Sequence, residues 1–451
     1  MVGLIDIATY VPSYEVDVVG DGRSARTAAS FDEDTTTMAV AAVRQLAEYS
    51  QREAATLWFA TSSPAYEAKS NAVTVHAACQ LRGDIGVFDQ GPSVRSAFGA
   101  TRAAAETAGI AAIADQWSGL PGSDDERRGA DAAVAMSFGS DADSIAVIER
   151  WVSSPIEVLE RWRVPGEAIT HVWDERFLAE SLHELTTALA LDEGVAGADR
   201  IIVSSPNSRI ARTMPAALGV AEVVAESADG YAGGADPWIR LQRALGTALP
   251  GSRIAIVCVA DGVEVMVLRC TERIREWQLE RSLQADTRAR SRIDYLTYLT
   301  WRGLVTRQPP RRPDPPSPSA PPSLRSRAWK YGLVGGRCPE CATLHAPPES
   351  RCRNCSASPL VPEPLARRSG RVATMTVDRL AYSLDPPTVI AVVDFDGARA
   401  SFEVADGDRE RISIGDEVEF SFRRLHTSDG IHNYFWKAVP RRRTIDPETE
   451  H

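Results

Sequence analysis

The sequence predicts a layered α/β domain that leads, across a proline-rich linker, into a four-cysteine metal ribbon and a small all-β barrel. Three observations carry this. Before residue 305, short apolar runs alternate with longer segments of helical period. Two Cys-x-x-Cys pairs stand ten residues apart, between Cys338 and Cys355. Beyond them, five short strand-like runs are separated by turn residues.

The α/β part rests on runs rich in Val, Ile and Ala that read as buried strands: Thr56–Ala60, Ile85–Phe88, Ala132–Met136, Arg200–Val203 and Ile254–Val259. Between them, Thr36–Tyr49, Asn71–Leu81, Ser96–Ala108, Glu175–Leu191 and Ala211–Leu218 carry helical period. Strand and helix in alternation imply helices covering a sheet. A faint internal repeat adds to this. LWFATSSPAYEAKSNAVTVHAACQL and RIIVSSPNSRIARTMPAALGV each run strand, Ser-Ser-Pro, then a helix of small residues. Ser62-Ser63-Pro64 and Ser204-Ser205-Pro206 hold the same place in each copy, which predicts duplicated halves.

From Pro309 to Pro322, eight of fourteen residues are proline. Proline lacks the backbone donor and clashes within a helix, so this stretch is expected to be an extended tether. Arg307, Arg311, Arg312, Arg325 and Arg327 make it locally basic. The motif Cys338-Pro-Glu-Cys341 … Cys352-Arg-Asn-Cys355 places four thiolates for a tetrahedral zinc ion at about 2.3 Å per sulfur, with no open position and so a structural role. His345 lies between the pairs, outside a shell that is already full. Strand-like runs at Gly370–Leu380, Thr388–Phe395, Ala398–Val404, Glu417–Phe422 and Tyr434–Val439 suit a five-stranded OB-fold barrel. The expected domains are 1–305, a linker at 306–326, the ribbon at 327–362, the barrel at 363–441 and a tail at 442–451.

The chain's 451 residues exceed one ordinary core. A net charge of −11 argues against nucleic acid as partner of the whole molecule. No run of about 18 apolar residues is present, so no membrane span is expected. The first residues lack the basic-then-apolar pattern of a secretory signal, and a cytoplasmic location is the expectation. Cys79, Cys258 and Cys270 read as buried thiols.

The C-terminal order is RAWKYGL, GGRCPECATLHAPPESRCRNC, a strand beginning Gly370-Arg-Val-Ala-Thr-Met-Thr-Val, PPTVIAVVDFDG, and IGDEVEFSF. It resembles the zinc-ribbon plus OB-fold family that accompanies thiolase-like enzymes. That resemblance implies a module that docks on a thiolase-like protein and helps admit or shield an acyl-CoA. The first 300 residues resemble the thiolase superfamily, above all 3-hydroxy-3-methylglutaryl-CoA synthase and β-ketoacyl-carrier-protein synthase III. The residues concerned are Asp32-Glu-Asp-Thr-Thr-Thr-Met-Ala, FATSSPAYEAKSNA, VFDQGPSVRSAFGATRAA, ERWRVPGEA…VWDERF and IVCVADGVEVMVL.

The resemblance implies a nucleophilic cysteine at a strand-to-helix turn, and here the position falls on Val94, give or take one residue. Ser93 and Ser96 are the nearby hydroxyls, and each would need an adjacent base. The family's histidine position reads Ser204 or Ser205, and its glutamate position reads Ser62 or Ser63. The glycine-rich turn Gly230-Tyr-Ala-Gly-Gly-Ala-Asp236 offers Asp236 as a residual polar group, or as a helix N-cap. His76 reads as a packed histidine, and His171 and His183 lack partners at catalytic spacing.

Nucleophile, base and acid are thus all replaced. The leading expectation is a non-catalytic acyl-CoA-handling subunit, in a homodimer or in a hetero-oligomer with a catalytic thiolase-like protein. The alternatives are an acyltransferase or carbon–carbon bond-forming synthase with non-standard residues, and a nucleic-acid-binding barrel. The last lacks an obvious row of exposed aromatics for base stacking.

Overall fold

The computed structural model describes residues 2–18, 25–192, 194–220, 222–283, 290–308, 316–406, 409 and 412–441. The linker residues 309–315, with Arg311 and Arg312, and the tail 442–451 lie outside them. The chain forms two compact units: Met1–Ala29 with Asp34–Leu304, and Ser30–Glu33 with Val305–His451.

A ten-stranded sheet organises the first unit. Its order is Glu222–Val223, Arg200–Ser204, Arg253–Val259, Gly262–Cys270, Ala146–Pro155, Val2–Tyr10, Asp131–Ser140, Ile110–Gln116, Thr56–Ala60 and Gly86–Gln90. The order reads as two five-stranded halves placed back to back. In each, parallel strands at the outer edge pass into an antiparallel pair toward the centre. Thr56–Ala60 and Arg200–Ser204, which carry the internal repeat, hold the same place in the two halves.

Each half contributes one central helix, Ser96–Glu106 and Asp236–Leu245, and their small or aromatic faces meet. Phe98 and Trp238 are fully buried with ring centroids 4.8 Å apart. Truncating such a ring costs about 3–5 kcal/mol in a packed core. The helix expected over Thr36–Tyr49 is broken in two. Thr35–Arg44 starts from a capping box of Asp34 and Thr37 and ends at Gln45, and a second helix begins at Glu48. Strands absent from the sequence reading include Val2–Tyr10, Ile110–Gln116 and Ala146–Pro155 in the large sheet, and its edge strand Glu222–Val223.

In the second unit, Val334–Arg337 is paired by Leu344–His345 on one side and Val361–Pro364 on the other. The barrel strands follow the order Ala398–Glu403, Thr388–Phe395, Gly370–Asp378, Glu417–Ser428, Ile431–Pro440. A bridge between Val404 and Ala438 brings the two edge strands together. Phe395, Phe402, Phe420, Phe422 and Trp436 fill the interior. Asp32 and Glu33 belong to this unit and pair with Arg423 at 3.3 and 2.9 Å; Asp32 also pairs with Lys437 at 2.9 Å. The last two prolines of the linker, Pro321 and Pro322, sit in the first turn of a helix Ala320–Arg325. They fit there because first-turn N–H groups have no intrahelical partner to lose. Among the described residues no helix is long and apolar enough to cross a membrane.

Candidate functional site

The strand ends and helix starts singled out from the sequence converge in the first unit. Asp115, at the end of Ile110–Gln116, is the link. Its carboxylate accepts from Ser62 N at 2.6 Å, Ser62 Oγ at 2.9 Å, Thr61 Oγ1 at 3.1 Å and Gly234 N at 2.6 Å. Burial pushes the Asp115 carboxyl up, and those donors pull against the shift. The glycine turn must carry no side chain. A Cβ on Gly233 would stand 2.3 Å from Asp115 Oδ2, and one on Gly234 would stand 3.0 Å from the Ala97 Cβ.

Ser204 Oγ donates to Asp236 Oδ2 at 2.6 Å, and Arg240 pairs with the same oxygen at 3.3 Å. Arg240 also donates to Val203 O at 2.7 Å. Asp236 opens its helix, but its side chain does not cap it: it is 2% exposed and faces Ser204. Burial raises its pKa and Arg240 opposes the rise. Ser205 Oγ donates to Val259 O at 2.8 Å. Both serines at the histidine position thus spend their protons on internal acceptors.

At the nucleophile turn, Val94 is half-buried, and Ala97 is the residue packed against Gly234. Neither carries a nucleophilic atom. Ser93 Oγ donates to Asp261 Oδ2 at 2.9 Å, a partner 168 residues away that no local pattern signalled. An aspartate is far too weak a base to hold a serine proton without an imidazole between them. Ser96 opens the helix Ser96–Glu106. Arg95 is tied to Glu264 at 2.5 Å and to Ser153 at 2.7 Å. His76 Nε2 donates to Arg82 O at 2.8 Å, and His171 pairs with Glu167 at 3.0 Å on the surface. Neither histidine joins the cluster. Burial drives the thiols of Cys258 and Cys270 upward, the latter to about 11, which leaves them unreactive.

A surface cleft of about 730 Å³, to which none of the cluster's residues contributes, is lined by Asp124, Asp125, Trp173, Asp174, Glu175, Arg176 and Arg209 among others. Trp173 is 75% exposed and Phe177 68%. Arg209, in the first turn of Ser208–Leu218, makes no ion pair among the described residues. Behind Trp173 and Glu175 sits Glu160, its carboxyl pushed up to about 7 by burial, against the Asn207 hydrogen bond and the charge of Arg161. Glu175 and Asp261 add to the rise.

A carboxyl raised in the folded state stabilises the fold below its unfolded pKa near 4.5, and that contribution is lost as pH rises toward 7. Glu160→Gln keeps the Asn207 contact and removes the penalty. We expect the variant to gain about 2 kcal/mol over the parent on going from pH 5 to pH 8, from the size of the shift. Urea unfolding of both proteins at the two pH values checks this, and parallel curves would refute it.

In the second unit the four cysteine sulfurs lie within 4.8 Å of one another. Cys338 and Cys355 Sγ are 3.4 Å apart, and Cys341 and Cys352 Sγ 3.5 Å. A tetrahedral ion with 2.3 Å bonds sets sulfurs at about 3.8 Å, so the set fits one closed site. The two knuckles are built alike. Ala342 N donates to Cys338 O and Ser356 N to Cys352 O, and both Ala342 and Ser356 have positive φ.

A family model described as "ChsH2, C-terminal OB-fold domain" matches residues 363–423. A "DUF35 domain-containing scaffold protein" of Methanocaldococcus jannaschii is 31% identical over 125 residues, which are 25% of this chain and 89% of the relative. An HMG-CoA synthase complexed with CoA has a similar structure, with a TM-score of 0.57 at 13% identity over 66% of this chain and 89% of its own. MvaS in complex with 3-hydroxy-3-methylglutaryl coenzyme A gives 0.55 at 18% identity over 70% and 94%. At those identities the likeness is one of fold, so the first unit has the thiolase-like fold of HMG-CoA synthases and the second is a zinc-ribbon and OB-fold module. With 89% of a relative matched at 31% identity, the chain belongs to the DUF35 domain-containing family.

Proposed function

We propose that this chain is a non-catalytic member of the thiolase superfamily, acting in the cytoplasm. Its first unit holds an acyl-CoA without taking the acyl group. Its zinc ribbon and barrel scaffold and cap a thiolase-like acyltransferase that retains its own nucleophile, in a homodimeric or hetero-oligomeric assembly. One observation carries this reading: the polar groups at the base and acid positions are committed to internal partners, while the nucleophile position reads Val94. The cleft offers Arg209 and the exposed Trp173 ring for a phosphate and a flat ring, beside the carboxylates of Asp124, Asp125, Asp174 and Glu175 and an Arg176 that pairs with Glu180. The four sulfurs are a zinc donor set, and thiolates favour zinc over the hard cations.

Affinity purification from the native cell with mass spectrometry, together with acetyl-CoA titration of the purified chain, tests the reading. Recovery of a cysteine-bearing thiolase-like protein and saturable binding are expected. Arg209→Ala is expected to weaken that binding about tenfold, the worth of one charge-assisted hydrogen bond. Absence of both partner and binding would refute the proposal. The second reading, an active acyltransferase, draws on the Ser93–Asp261 contact. It requires acyl transfer by the chain alone that Ser93→Ala abolishes.

A further inference from the structure

Four residues near the N-terminus are held by the barrel. Ser30–Glu33 belongs to the second unit, although Ala29 before it and Asp34 after it belong to the first. The barrel is closed without this segment, because its five strands run in order and the bridge between Val404 and Ala438 joins the edges. Arg424 holds the segment's backbone. Its N–H donates to Asp32 O at 2.8 Å, and its guanidinium donates to Phe31 O at 2.9 Å. Arg423 pairs with Asp32 at 3.3 Å and with Glu33 at 2.9 Å, and Lys437 pairs with Asp32 at 2.9 Å. The Lys437 ammonium also stands 5.4 Å from the centroid of the Phe31 ring. The side chains of Asp32, Glu33, Arg423 and Lys437 are each at most 4% exposed.

Each of the two cations has a second carboxylate that belongs to the barrel itself. Asp406 lies 3.1 Å from Arg423, and Glu403 lies 2.7 Å from Lys437. Arg423 Nε donates to Ser421 Oγ at 2.9 Å, which fixes the direction of the guanidinium. A buried charge left alone is strongly destabilising, but here both cations keep a partner when the segment leaves. The face that holds the segment is therefore set in advance, and donors set in advance lose little freedom on binding.

We propose that this face of the barrel is a receptor for a short acidic peptide led by an aromatic ring, filled here by the chain's own Phe31-Asp32-Glu33. Arg423 and Lys437 take the two carboxylates, Arg424 takes two backbone carbonyls, and the Lys437 ammonium meets the ring. A tethered ligand acts at an effective concentration on the order of millimolar, so the chain's own segment closes the receptor to acidic peptides from other chains. The inference is independent of the acyl-CoA reading above.

The test uses the full chain and a fluorescein-labelled peptide of residues 27–36, with binding read by fluorescence anisotropy. Asp32→Asn with Glu33→Gln keeps the shape of the segment and removes its charges. This double variant is expected to bind the peptide at least about 100-fold more tightly than the parent, whose receptor is full. The peptide is also expected to raise the variant's melting temperature. Adding Arg423→Met and Lys437→Met should abolish the binding, and a peptide carrying Asn and Gln in place of its first two acids should not bind at all. Asp32→Asn alone is a milder variant with the same readouts. A folded variant that ignores the peptide, or a parent that binds it equally well, overturns the inference. If neither variant folds and the peptide restores no melting transition, the segment is part of the barrel's core and not its ligand, and the inference falls as well.

Discussion

The purified chain is expected to carry one zinc ion, and Cys352→Ser is expected to release it and unfold the ribbon. The four sulfurs already stand at near-tetrahedral spacing, and each knuckle's backbone turns to aim its pair inward. Little other than the metal holds that region. Its sheet has three strands of two to four residues, and the buried apolar side chains around it among the described residues, Leu333, Leu344, Ala346 and Leu365, are few for a free-standing core. Structural zinc contributes about 10–16 kcal/mol in finger-type peptides, most of which appears as folding free energy. Loss of one thiolate forfeits most of it. Elemental analysis of the parent and variant gives the stoichiometry, and limited proteolysis around residues 334–364 reports the unfolding. The parent should be colourless, since four thiolates also suit iron and an iron site would absorb visible light. A metal-free parent that resists proteolysis would overturn the expectation.

Asp236→Ala is expected to destabilise the first unit by about 3–5 kcal/mol, the usual effect of leaving one member of a buried ion pair alone. Both side chains are at most 3% exposed, and Arg240 has no water to fall back on. Ser204→Ala removes one hydrogen bond to the same carboxylate and should cost about 1–2 kcal/mol. Removing both charges, as in Asp236→Ala with Arg240→Met, should recover much of the loss, because the stranded charge is the larger part of it. Urea unfolding monitored by tryptophan fluorescence measures all three. The experiment also bears on function. A group kept for chemistry against the interest of the fold tends to raise stability when removed, and a structural group lowers it. An unchanged or raised midpoint for Asp236→Ala would count against the structural role argued for this position.

Much of this architecture is legible in the residues alone, for a physical reason. Buried parallel strands must be apolar throughout, so Thr56–Ala60, Arg200–Ser204 and Arg253–Val259 declare themselves. The Ser-Ser-Pro repeat likewise marks two turns that the sheet places in equivalent halves. The four cysteines are equally plain, because a metal dictates their spacing locally. The missed strands are explained the same way. Ile110–Gln116 is rich in alanine and has no strand-specific period, and Val2–Tyr10 and Ala146–Pro155 gain their identity only from neighbours far along the chain.

The sequence by itself determined the fold class, the duplicated halves and the spacing of the four cysteines. These follow from side-chain type and local spacing. Only the tertiary structure decided which polar groups meet. Asp115 joins Ser62 to Gly234, Ser93 finds Asp261, and Ser204 finds Asp236. Asn207 finds Glu160. Each of those contacts spans 32 to 168 residues, and hydrogen bonds of that kind are made by the folding of the sheet and leave no periodic trace in the chain.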